Sequence, residues 1–150
     1  MLSFSQKKFD KLSLQELHDI YALRSEVFVV EQDCVYQDID GKDLNSIHVL
    51  GVENKKLVAY ARILDRGLSY PNHASIGRIV VSPSYRGNKT GHRLVNFSIR
   101  TTQKAYKQTP IKISAQAHLE NFYKEHHFKP TGDNYLEDGI PHIAMIYEEP

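Results

Sequence analysis

Ala74–Tyr106 reads ASIGRIVVSPSYRGNKTGHRLVNFSIRTTQKAY. Its first residues, Ile76 to Val81, are β-branched apart from Gly77 and Arg78, which predicts a strand. Ser82-Pro83-Ser84-Tyr85 is a turn. After the basic loop Arg86-Gly87-Asn88-Lys89-Thr90-Gly91, Val95, Ile99, Thr102 and Tyr106 fall on one helical face, and Arg93, Arg100, Lys104 and Lys107 on another. A strand, a glycine-bearing basic loop and a helix N-terminus, in that order, build an anion site. The first amides of a helix lack intrahelical acceptors, and the helix dipole adds partial positive charge there. Gly87 and Gly91 let backbone approach a phosphate, and Arg86 offers a two-pronged fork. The reading is a diphosphate cradle.

Two common cradles are excluded by the residues. A P-loop would need glycine at Asn88 and at Pro83. The dinucleotide fingerprint would need glycines where Lys89 and His92 stand.

Working outward, 150 residues predict one domain spanning 1–150, with 41% hydrophobic and 25% charged residues, ordinary for a globular chain. A net charge of +1 is no footprint for nucleic acid, and no apolar run approaches the ~20 residues that span a bilayer, so neither nucleic acid nor membrane is an expected partner. The single cysteine, Cys34, permits no internal disulfide and points to a reducing cytoplasm.

Ser13-Leu14-Gln15-Glu16 is a capping box, with Leu12 and Leu17 as its staple. The helix behind it is expected to reach about Val29, with Leu14, Leu17, Tyr21, Arg24 and Phe28 on one face. Leu2 to Phe9 suits an edge strand. Glu31 to Asn45 reads as a long acidic loop of the functional kind. Ile47–Val52 and Leu57–Leu64 form a hairpin, Ile111–Ser114 a short strand and Ala117–Glu125 a second helix. Asp133–His142 is expected to be a polar loop, and Ile143–Tyr147 the last strand. The order β-α-β-β-β-α-β-α-β is mixed α/β rather than doubly wound.

Several separated motifs resemble the GNAT-type N-acetyltransferases, and among them the ElaA-like branch. Arg86 to Gly91 after Ile79-Val80-Val81 resembles that family's coenzyme A loop, Arg/Gln-x-x-Gly-x-Gly/Ala, with Lys89 in place of the middle glycine. Phe122-Tyr123-Lys124-Glu125-His126-His127-Phe128 resembles its Phe-Tyr-x-x-x-Gly-Phe segment, with His127 for the glycine. Gln116 stands where an asparagine often contacts the cofactor. Leu23 to Gln32, Asp38 to Asp43 and Glu137 to His142 are similar to the ElaA-like branch. The resemblance implies a GNAT fold and acetyl-CoA as cosubstrate. It implies that Ile79, Val80, Val81, Arg86, Gly87, Asn88, Lys89, Thr90, Gly91 and Gln116 hold the coenzyme, and that Tyr123 is the general acid.

Acetyl transfer to an amine needs a neutral amine, a polarised carbonyl and a proton for the leaving thiolate. The central strand reads Ile76-Gly77-Arg78-Ile79 and offers no carboxylate as base. Glu31 and His142 are the leading base candidates, with Glu137 and His118 behind them. Arg78 would pair with the acidic loops or with an acidic part of the acceptor. Glu31, Asp38, Asp40 and Asp43 in one loop, with Glu137 and Asp138 in another, are expected to form an acidic rim that draws a cationic amine. Eight histidines show no metal-ligand spacing, so no metal is expected. The function expected is acetyl transfer to a small-molecule or peptide amine by direct attack in a ternary complex. The alternative is a catalytically weak module of this fold that holds coenzyme A. Monomer and homodimer both stay open.

Overall fold

The structure, a computed structural model, describes residues 1–150. Strands β1 (Ser3–Lys8), β2 (Ile47–Glu53), β3 (Lys56–Leu64) and β4 (Ser75–Val81) form an antiparallel sheet in that order. Strands β5 (Lys112–Gln116), β6 (Phe128–Glu137) and β7 (Ile140–Tyr147) form a second sheet, ordered β5-β7-β6. Helix α1 (Leu14–Arg24) precedes β2, α2 (Thr90–Ala105) follows β4, and α3 (Glu120–Lys124) follows β5.

The β2–β3 hairpin turns through Asn54 and Lys55, both at positive φ (51° and 63°), the geometry that matches strand twist in a two-residue loop. Side chains alternate across this sheet. Val49, Ala59, Ala61 and Ile63 pack with Leu94, Val95 and Ile99 of α2, whereas Leu50, Tyr60 and Val80 pack with Ile20 and Leu23 of α1. The two helices therefore cover opposite faces of one sheet.

Three expectations need correction. Asp133–His142 is a hairpin rather than a loop: Asn134, Tyr135, Leu136 and Glu137 pair with Ile143, His142, Pro141 and Ile140. This adds a strand to the predicted order. The buried face of α1 carries Ile20, Leu23 and Arg24, and Leu14 is 88% exposed at the capped end. The capping box itself is present, with Ser13 Oγ accepting from Glu16 N and Ser13 N donating to Glu16. Finally, the helix runs past Val29. Ser25–Glu31 is π-helical, with Gln32 N donating to Val27 O at 3.1 Å and Cys34 N to Val29 O at 3.1 Å.

Two features of β4 position the site. Between the pairs Tyr60–Val80 and Arg62–Gly77, β3 advances two residues and β4 three, so β4 bulges. Arg78 sits in that bulge at φ 49°, a left-handed conformation that costs any residue with a Cβ roughly 1–2 kcal/mol. The second feature is a parting of the sheets. β4 and β5 run parallel and touch where they begin, Ala74 N donating to Pro110 O and Lys112 N to Ala74 O, both at 2.9 Å. Beyond that rung they belong to separate sheets, and a cleft opens between them.

Candidate active site

The loop after β4 keeps the cradle geometry expected of it. Pro83–Tyr85 makes one tight turn, Gly87 takes φ 90°, and Lys89 caps α2 in the left-handed region at φ 60°. No side chain caps α2, and no acidic residue lies in its first turn. None of the backbone hydrogen bonds outside the regular elements uses the amides of Gly87, Asn88, Lys89 or Thr90. Those of Gly91 and His92 lie in the first turn, where no helical acceptor exists. Successive free amides at a positive helix end suit a diphosphate. The two glycines differ. A Cβ on Gly87 would meet nothing within 4 Å, leaving room for a ligand, whereas one on Gly91 would rest 3.5 Å from Phe122. Arg86 does not face the loop amides alone. Its guanidinium forks onto Glu31 with two bonds of 2.7 Å, and Nε donates to Val81 O at 3.2 Å.

The cleft between β4 and β5 has a volume of about 620 Å³. Ser75 to Ile79 line one side, with Ile113, Ser114 and Gln116 opposite. Of the strand triplet only Ile79 reaches it; Val80 packs under α1, and Val81 against the core beneath α2. Gln116 lines the cleft with Nε2 3.4 Å from Gln32 Oε1.

Tyr123 also lines the cleft. Phe122 and Phe128 pack edge-on against its ring, and only 6% of the residue is exposed. Burial alone acts on its hydroxyl, with no hydrogen-bonding or charged neighbour, so it is free for a ligand. Burial pushes the phenol's pKa well above its ordinary value, which keeps the proton in place. His142, 7% exposed, stands across from Gln116 in the β5–β7 register. Its Nδ1 is 2.7 Å from Ile140 O, which can only accept. Nδ1 must therefore carry the hydrogen, and Nε2 of the neutral ring holds the lone pair. Nε2 lies 3.5 Å from Glu137 Oε2, and the ring stacks on Tyr135. Tyr135 donates to Ser114 Oγ at 2.5 Å, and Ser114 donates to Glu137 Oε1 at 3.3 Å.

Glu31 and His118 do not line this cleft, whereas Glu137, Asp138 and His142 do. Arg86 holds the Glu31 carboxyl below the usual carboxylate range, which makes it a poor base. Of the six carboxylates expected to form the acidic rim, only Glu137 and Asp138 have no arginine or lysine partner. Asp38, Asp40 and Asp43 are bound by Arg24, Arg62 and Arg78 in a closed alternating ring, Arg24–Asp38–Arg78–Asp40–Arg62–Asp43, with contacts of 2.6 to 3.4 Å. Three positive and three negative charges cancel there. Arg78 thus pairs with the acidic loop, the first of its two expected roles. Burial raises the Asp40 carboxyl, but the forks of Arg62 and Arg78 outweigh it and hold the group below its ordinary value.

The sequence reading did not find Ser114, Tyr135, Tyr70 or Arg62 as lining or supporting residues. Only the hairpin register brings Tyr135 and Ser114 beside Glu137. Cys34 lines the cleft with Sγ 3.5 Å from Asp138 O, closing the Glu31–Asn45 segment onto the β6–β7 turn. No group of three or more histidine, cysteine or acidic residues has the geometry to hold a metal.

A parted sheet, a bulged central strand and an amide-lined helix start define an acyl-CoA-dependent acyltransferase fold, and comparison with known proteins agrees. The acetyltransferase (GNAT) domain family matches residues 8–149, and the chain belongs to that family. Within it the protein falls in the ElaA-like branch. It is 44% identical to Escherichia coli ElaA over 152 aligned positions, covering 99% of this chain and 97% of ElaA. The crystal structure of E. coli ElaA matches at TM-score 0.92 with 43% identity, covering 99% of this chain and 100% of that one. An acyl-CoA N-acyltransferase from Pseudomonas aeruginosa matches at TM-score 0.92 with 39% identity and the same coverage. The family carries out acyl transfer and uses an acyl-CoA cosubstrate, and the free amides from Gly87 to His92 fit the diphosphate of that cosubstrate.

Proposed function

We propose that the protein is an acetyl-CoA-dependent N-acetyltransferase that moves the acetyl group directly to an amine in a ternary complex. The observation that carries this reading is the Tyr123 hydroxyl, on a buried ring, protonated and without a protein partner, in the same cleft as His142 Nε2. The amine nitrogen attacks the thioester carbonyl, the carbon–sulfur bond breaks, and the proton balance falls to these two side chains. His142 Nε2 takes the amine proton, with Glu137 beside it to stabilise the imidazolium. Tyr123 gives its proton to the departing thiolate. The β4 bulge supports the same reading, because an irregular strand edge leaves amides free to polarise a carbonyl. The loop from Arg86 to Gly91 and the side chain of Gln116 hold the coenzyme.

Tyr123→Phe keeps the packing against Phe122 and Phe128 and deletes only the proton donor. Its kcat is expected to fall about 10²-fold with coenzyme A affinity unchanged, measured by thiol release and by calorimetry. An unchanged kcat, with chemistry limiting turnover, would remove Tyr123 from the mechanism. No thiol release above background with any amine, alongside tight coenzyme A binding, would favour the binding-module alternative.

A further inference from the structure

One wall of the cleft carries a positive charge that acyl transfer does not use. Lys42, Arg62 and Arg78 all line that wall. Both arginines are neutralised within the ring, and Asp40, the one carboxylate on that wall, has both oxygens bound by them. Lys42 has no carboxylate partner at all; its Nζ is held by Ser69 Oγ at 3.1 Å. Around it the lining supplies further donors. Ser69 and Ser75 bring hydroxyls to this wall, whereas Tyr70, its pKa raised by burial and by its neighbours Tyr135 and Glu137, belongs to the opposite, acidic side. The Nε of Arg62 has no hydrogen-bond partner although its side chain is only 5% exposed. The opposite wall bears Glu137 and Asp138, neither paired with a lysine or arginine.

The geometry points to an anion subsite at Lys42 and Ser69, so that the acceptor is an amine that also carries a carboxylate several bonds away. Position along β4 sets the spacing. Ser75 lies beside the rung that joins the sheets, near Tyr70 and its bridge partner His73, and Ile79 lies at the open end toward Tyr123. Four residues separate them, and the bulge at Arg78 shortens the path to less than the ~13 Å of a straight strand. An amine beside His142 and Glu137 with its carboxylate at Lys42 would satisfy both walls at once. The ring beside Lys42 is charge-balanced and repels neither end of such a ligand. This inference rests on the acetyltransferase reading for the role of the ligand, though the subsite itself is tested by binding.

The probes are 6-aminohexanoate and 6-aminohexanamide, which share a chain and an amine and differ in one charge. Calorimetric titration of the full-length protein saturated with coenzyme A is expected to show the carboxylate binding at least about tenfold tighter, the scale of one charge-assisted hydrogen bond. Lys42→Gln is expected to cut that ratio below about twofold, and Ser69→Ala to reduce it partway. Equal affinities in the parent protein, no measurable binding of either probe, or a Lys42→Gln effect equal on both would overturn the subsite. Selective carboxylate binding without thiol release from acetyl-CoA would uphold the subsite and sink the acetyltransferase reading instead.

Discussion

Glu31 and Arg86 show how two residues with separate expected roles end in one contact. Their two 2.7 Å bonds form a planar fork, the geometry in which arginine binds a carboxylate best, yet the side chains are 41% and 45% exposed. An exposed pair of this kind adds little to stability, because water and salt screen it. The diphosphate of coenzyme A carries the same planar acceptor pattern and more charge, so it would compete with Glu31 for the fork. Glu31→Gln is therefore expected to tighten coenzyme A binding by up to about fivefold. Arg86→Ala is expected to weaken it by about 1.5–3 kcal/mol. Calorimetry on both variants decides. Weaker binding by Glu31→Gln would mean that Glu31 aims Arg86 at the phosphates rather than competing for it.

At the scale of elements, the start of α2 separates two glycines that look alike in sequence. Gly87 needs its left-handed φ of 90°, whereas Gly91 lies in the first helical turn with only Phe122 in front of it. Gly87→Ala is expected to cost about 1–2 kcal/mol of stability, and Gly91→Ala to stay within about 0.5 kcal/mol of the parent, because helix propensity favours alanine there. Urea denaturation of the two variants checks this; equal losses would mean that loop strain is not what requires Gly87. The strand–loop–helix order was legible because its signals are local: a β-branched run, a proline turn and a 3.6-residue period in α2. The face of α1 was legible only in part: Arg24 is buried as the expected face has it, but Ile20 and Leu23, which the expected face omitted, are buried beside it, and Leu14 is exposed at the capped end. The β6–β7 hairpin was missed because β6 is solvent-exposed along most of its length, so it lacks an apolar alternation. Its register then decides which groups flank His142. Tyr123 was legible only through family resemblance, since a tyrosine flanked by aromatics reads equally as core.

Across the whole molecule, the Arg–Asp ring ties the end of α1, the segment from Asp38 to Asp43, β3 and β4 into one body. It turns a loop that read as long and acidic into a charge-balanced wall of the cleft. It also gives the left-handed Arg78 two partners, Asp38 and Asp40, that offset its backbone cost. Such a ring stabilises only while complete. Arg24 is fully buried, and its guanidinium is bound by Asp38 and Asp43 and stacked over Tyr21 and Tyr60. Removing it leaves two carboxylates, 7% and 1% exposed, without their shared cation. Arg24→Met, close in volume but uncharged, is expected to cost about 3–5 kcal/mol, the scale for a broken buried pair and a large part of a domain's total stability. Asp40 is different. Its side chain is 31% exposed, so water can solvate Arg62 and Arg78 once it is neutralised, and Asp40→Asn is expected to cost about 1 kcal/mol or less. Urea midpoints of the two variants give the comparison. A loss from Asp40→Asn equal to or larger than that from Arg24→Met would place the ring's strength at its solvent edge rather than at its buried end under α1.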